Sequence, residues 1–125
     1  MNQATDVIDR YFAVWNEGDA VRRRDLIAQT WTENASYLDP VMHSEGHAGI
    51  DGMVQRVQEQ FAGHQFRQTG TINRHHDRLR FSWELAPADG PAVVAGTDFG
   101  VVAADGSLRT VTRFFDNAPT AESVQ

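Results

Sequence analysis

Apolar residues recur at helical spacing through the first part of the chain and at every second position through the later part, so the change of period divides the molecule. Val7, Ile8, Tyr11, Phe12 and Trp15 form one stripe with Asp6, Asp9, Arg10, Asn16 and Glu17 off it, which predicts a helix over 6–17. Thr5 is its candidate N-cap and Gly18 its stop. Asp19 is placed to cap a second helix over 19–32, with Ile27 and Trp31 on one face, Leu26 beside them and Arg22, Arg23 and Arg24 turned to water. Ala35 to Leu38 then reads as a short strand, stopped at Asp39-Pro40 because proline brings no amide to a ladder. The mixed stretch Val41 to His47 reads as a loop, and Ile50, Met53, Val54, Val57 and Phe61 predict a third helix over 48–62 that Gly63 ends.

Beyond Gly63 the pattern is that of strands. Phe66 to Arg74 alternates weakly, His75-His76-Asp77 is a turn, and Leu79, Phe81, Trp83 and Leu85 alternate with Arg78, Arg80, Ser82 and Glu84. Pro87 to Pro91 is a second turn, and Val93–Ala103 and Leu108–Phe115 complete a four-strand antiparallel meander about the turn Ala104 to Ser107. The tail from Asn117 has no apolar pattern and is expected to be loose. Helices followed by an antiparallel sheet give one α+β domain over 1–125, with its core over 6–116 and the helices on one face of the sheet.

Composition narrows the partners. The 125 residues are 41% apolar, enough for one core, and the net charge of −6 argues against nucleic acid and anionic membranes. Cysteine is absent, which removes disulfides, thiolate metal sites and thiol nucleophiles. No apolar run is long enough to span a membrane and no leader pattern opens the chain, so a cytoplasmic protein is expected.

Candidate chemistry centres on acids in unusual places. Asp98 lies mid-strand between Gly96 and Gly100, and Arg113 on the return strand is its candidate partner; the pair reads as an acid with its tuner, a polar substrate clamp or a buried salt bridge. The glycines leave room there for a bend, a ligand or a close backbone. Asp39 reads either as a general base at a cavity wall or as a turn-forming residue before proline. Tyr11 reads as an oxyanion donor or as core. Asp39, His43 and His47 recur at intervals of four, but Pro40 and Gly46 oppose the helix a metal site would need, so no metal and no cofactor are expected.

The order of elements and the phrases Asp9 to Asp19, Tyr37-Leu38-Asp39-Pro40 and Asp105-Gly106-Ser107-Leu108 resemble the nuclear transport factor 2-like superfamily, with its SnoaL-like cyclases, ketosteroid isomerases and limonene epoxide hydrolases. The resemblance implies a cone-shaped fold in which three N-terminal helices pack on a curved antiparallel sheet. It also implies a homodimer through the outer sheet face, where Val93, Ala95, Thr97, Phe99 and Val101 would lie. Ketosteroid isomerase is a familiar case of tuned acids, and by likeness to it Asp39 would be the base, with Tyr11 and Asp98 facing the oxyanion. Trp31 and Val54 stand where the isomerases carry supporting tyrosines, and Arg113 where they carry a small residue. The substrate wall would comprise Arg113, Val111 and Phe115 on one strand face with Trp15, Trp31, Val54 and Met42.

The expected activity is cofactor-independent acid–base proton transfer on a small apolar carbonyl compound of polyketide, steroid or terpene type. The alternatives are epoxide hydrolysis at Asp98 and Arg113, and a domain that binds a ligand or dimerises without turnover.

Overall fold

A computed structural model describes residues 3–117. Its elements in chain order are α1 (Gln3–Asn16), α2 (Ala20–Thr30), β1 (Trp31–Leu38), β2 (His43–Glu45), α3 (Gly46–Gln60), β3 (His64–His75), β4 (Arg78–Pro87), β5 (Val94–Val102) and β6 (Leu108–Asn117). The strands form one six-stranded sheet in the order β2-β1-β6-β5-β4-β3.

The expected α+β domain is present, and β3 to β6 are the expected antiparallel meander. Inward positions of β4 carry Leu79, Phe81, Trp83 and Leu85, all buried against the helices through Tyr11, Phe12 and Trp15 of α1 and Ile50, Met53 and Val54 of α3. Three turns fall where the sequence places them. His76 takes a φ of 50° between β3 and β4, the Gly90 amide donates to the Pro87 carbonyl at 3.4 Å between β4 and β5, and between β5 and β6 Gly106 takes 89° while Asp105 Oδ1 accepts from the Ser107 amide at 2.9 Å. Asp19 caps α2 by accepting from the Arg22 amide at 2.9 Å, which holds its carboxyl below the usual range.

Other expectations are corrected. Thr5 lies inside α1, which begins at Gln3. Trp31 is not helical: α2 ends at Thr30, and Trp31 opens a strand that runs parallel to β6, opposite Leu108. An aromatic followed by a β-branched residue favours the strand once a neighbour can pair with it, and that neighbour lies far along the chain. The expected loop over 41–47 contains β2, which pairs back on β1 through Leu38 and His43, and α3 starts at Gly46.

Arg23 does not face water. It is buried, donating to Asp51 Oδ1 at 2.6 Å, the Glu17 carbonyl at 3.0 Å and Gln58 Oε1 at 3.2 Å, and so ties α2 to α3 and to the end of α1. The expected loose tail lies outside the described residues beyond Asn117. Among the described residues no helix is long and apolar enough to cross a membrane.

Candidate functional site

Strand parity brings Asp98 and Arg113 together. They are direct cross-strand partners of β5 and β6, and both project to the helix side of the sheet. Arg113 Nε donates to Asp98 Oδ1 at 2.9 Å and Nη2 to Oδ2 at 3.1 Å, the two-pronged geometry in which a guanidinium matches a carboxylate. Trp83 Nε1 donates to Oδ1 at 2.8 Å, and the Tyr11 hydroxyl of α1 donates to Oδ2 at 2.5 Å. Asp98 thus accepts four hydrogen bonds, one for each lone-pair site of a carboxylate. Every site is taken by a donor, so the network is complete only with the acid ionised.

Tyr11 is equally committed. Its oxygen accepts from Arg113 Nη2 at 3.2 Å while its proton goes to Asp98. Burial, then the Asp98 charge, raises the Tyr11 hydroxyl well above the usual tyrosine range. For Arg113, burial is the largest influence and weakens the cation, but the Asp98 carboxylate together with the Tyr11 and Tyr37 hydroxyls outweighs it, and the guanidinium is held more firmly protonated than usual. The rings of Trp83, Trp15, Phe66 and Tyr37 surround that cation, with centroids 4.1, 4.7, 5.1 and 5.6 Å from its central carbon.

The space between Gly96 and Gly100 is already filled. A Cβ on Gly96 would collide with the Trp83 indole and lie 2.6 Å from the Phe114 carbonyl oxygen; on Gly100 it would lie 3.2 Å from Leu108 Cδ2. The room the glycines leave is occupied by the protein itself, and Asp98 is 0% exposed.

Asp39 is built differently. It follows the last residue of β1, in a turn closed by its own amide donating to the Met42 carbonyl at 2.9 Å. Its Oδ1 accepts the Val41 and Met42 amides, each at 2.8 Å, and its Oδ2 accepts the Tyr37 hydroxyl at 2.6 Å. Both sites on Oδ1 are filled and one remains on Oδ2, at a residue 7% exposed. Burial, first, raises the Tyr37 hydroxyl well above its usual range, with the Asp39 charge acting in the same direction and the Arg113 charge against it. The Tyr37 ring lies 5.8 Å from that of Trp15, so aromatic contact connects the Asp39 turn to the Asp98 cluster.

Of the expected wall, Trp31, Val54 and Val111 are core, while Met42 and Phe115 pack against that core from partly buried positions. Trp31 is 5.8 Å from Tyr11 between ring centroids. His43 and His47 do not converge with Asp39: His43 lies 3.5 Å from Glu45, and His47 Nε2 is 2.9 Å from the Trp31 carbonyl oxygen. Among the described residues no group of three His, Cys, Asp or Glu is placed to hold a metal.

Trp83 and Tyr37 are functional neighbours that the sequence reading left out. Their signals were present, since Tyr37 stands two residues before Asp39 on an extended segment, and Trp83 shares the inward parity of Phe81 and Leu85. A cleft of about 560 Å³ lies elsewhere, between the ends of α1 and α3 and the β3–β4 pair. Trp15, Asn16, Gln58, Phe61, His64 and Arg67 are among its lining residues, and Trp15 alone belongs to the expected wall.

The model of the SnoaL-like domain family matches residues 8–114. A solved structure from Agrobacterium tumefaciens, provisionally assigned as an isomerase of the SnoaL-like family, is 39% identical and superposes with a TM-score of 0.88 over 94% of this chain and 100% of its own. A provisionally assigned polyketide cyclase from Sinorhizobium meliloti shares the fold at 14% identity, with a TM-score of 0.68 over 90% of this chain and 99% of its own. An NTF2-like protein of unknown function from Exiguobacterium does so at 20% identity, with a TM-score of 0.70 over 90% of this chain and 99% of its own. No curated protein matches the chain.

Proposed function

Because this chain belongs to the SnoaL-like family, we propose that it is a cofactor-independent enzyme in which Asp39 moves a proton on a small, largely apolar carbonyl compound. The observation that carries this reading is the single lone-pair site left on Asp39 Oδ2, at a residue that still reaches the surface. Asp39 would take a proton from the carbon next to the carbonyl and return it to another carbon, which moves a double bond. Tyr37 and the two backbone amides hold the carboxylate in one orientation for that transfer. The Asp98–Arg113–Tyr11 cluster acts in this reading as a fixed electrostatic wall, because its lone pairs and protons are already assigned.

Solvent-exchange NMR tests the proposal without a known substrate. Small cyclic enones and ketones in deuterium oxide should gain deuterium next to the carbonyl faster with the protein than without it. Asp39→Asn should keep the melting temperature and lose roughly two to four powers of ten of that rate. Exchange unchanged in the variant would remove Asp39 from the role.

A second reading, a ligand-binding or assembly domain without turnover, is favoured by the filled interior around Asp98. On either reading the outer sheet face is a candidate for covering by a second copy, since Phe99 and Phe114 are 42% and 55% exposed and stack edge to face at 5.8 Å. Light scattering of the parent chain and of Phe99→Lys should give the mass of a dimer and of a monomer respectively. A monomeric parent would end the dimer proposal.

A further inference from the structure

The cleft at the ends of α1 and α3 combines two features that occur together at small-molecule sites, a flat apolar wall and a few polar groups. Its volume of about 560 Å³ lies within the usual span for such sites. Phe61, Pro87 and Ala88 supply its apolar surface, while Trp15 and Ala86 lie almost wholly beneath it.

Two of its polar residues are already committed to the protein. Asn16 exchanges hydrogen bonds with the Phe66 backbone at 3.0 and 2.9 Å, and Gln58 donates to the Trp15 and Glu17 carbonyls and accepts from Arg23. These residues shape the cleft and hold it open.

His64 and Arg67 have capacity to spare. His64 Nδ1 lies 3.0 Å from the Ala62 carbonyl oxygen, which can only accept, so Nδ1 carries the proton and Nε2 is the ring's other polar atom. Arg67 is held through one nitrogen, Nη2, 2.7 Å from Glu84 Oε2, and a guanidinium has five N–H donors. Arg67 is thus the cation of the lining with donors to spare, in a chain whose net charge is −6, while His64 Nε2 is an acceptor in this tautomer. One guanidinium without a helix N-terminus suits one carboxylate better than a phosphate chain.

We propose that this cleft binds a small carboxylic acid with a flat apolar body, the body against Phe61 and Pro87 and the carboxylate toward Arg67. Glu84 then competes with the ligand for Arg67, so it sets the affinity without touching the ligand's apolar part. The site is separate from the Asp39 turn, and its test reads binding alone.

Titrating the protein with 3-phenylpropionate and with 3-phenylpropanamide, followed by two-dimensional NMR near neutral pH, tests the proposal. The carboxylate should bind about fivefold tighter than the amide, with shifts centred on Phe61, His64 and Arg67. Arg67→Gln should abolish that preference and Glu84→Gln should widen it, while Arg80→Gln, on the outer sheet face beside Phe99 and Phe114, should leave it unchanged. Glu84→Gln also guards against a trivial result, because a purely structural Arg67 would not gain affinity from loss of its partner. The proposal is overturned if acid and amide bind equally, if Arg80→Gln rather than Arg67→Gln removes the preference, if the shifts map elsewhere, or if neither probe binds at millimolar concentration.

Discussion

Two aspartates of this chain both accept hydrogen bonds from a tyrosine, yet one is enclosed and the other is not. Asp98, mid-strand in β5, has four donors and no surface; Asp39, just past the end of β1, has three donors and a free site. The difference comes from position along a strand. A mid-strand residue is hemmed by neighbouring strands, so its carboxylate must be satisfied by other side chains and a counter-charge. A strand end passes into a turn whose backbone amides do the same work while leaving one side open. Reactivity is therefore expected at the strand end, and rigidity at mid-sheet.

The largest expected effect tests the rigid member. Arg113→Met leaves a buried carboxylate unpaired and should cost about 3–5 kcal/mol, a fall in melting temperature on the order of 10 °C or more. Asp98→Leu combined with Arg113→Met should recover most of that loss, since apolar groups of similar volume can replace a buried pair at little cost. If the single variant melts with the parent, water reaches the cluster and the contrast between the two acids collapses.

Alkaline titration comes next. Both tyrosines of the chain have folded-state pKa values raised by burial and by a neighbouring carboxylate, so the folded protein binds more protons than the unfolded chain once the pH exceeds the unfolded value of about 10. The stability they contribute is complete below that pH and declines as the pH rises from there toward the folded values. Phenolate absorbance should then appear together with unfolding instead of before it. Early absorbance that disappears in Tyr37→Phe would make the Asp39 side the more open of the two, and absorbance that disappears in Tyr11→Phe would contradict the enclosure of Asp98.

The smallest effects sharpen the comparison. Tyr11→Phe removes one donor from a carboxylate that water does not reach and should cost about 1–3 kcal/mol; Tyr37→Phe, beside a residue that reaches the surface, should cost about 0.5–1.5 kcal/mol. Chemical denaturation of the two variants measures the difference, and the reverse order would mean that burial does not set it.

The Asp98–Arg113 pair was legible in the sequence because alternation fixes which face each residue takes and the turn at Asp105-Gly106 aligns the two strands. What surrounds the pair was not legible. Periodicity says that Trp15 and Trp83 face inward, but not that their rings close over a guanidinium and occupy the space a ligand would need. Local pattern also misplaced Arg23, since a run of three arginines on a helix resembles a solvated face until Asp51 and Gln58 are brought against it by α3. Helical spacing likewise aligns Trp31 with Ile27, whereas its strand is set by pairing with the distant Leu108. The cleft was not legible because it is made by the ends of elements, whose convergence no single segment encodes.

Gly96 and Trp83 bear on how this interior can change over generations. Any side chain at position 96 meets the indole, while a smaller residue at position 83 takes a donor away from Asp98. Neither site can vary without cost. Giving up the tryptophan would end the full satisfaction of Asp98 and still not free the glycine, because a Cβ there also lies 2.6 Å from the Phe114 carbonyl oxygen of β6. Libraries that randomise the two positions together are therefore expected to return glycine at 96 whatever stands at 83, and a hollow interior requires the β6 backbone to move.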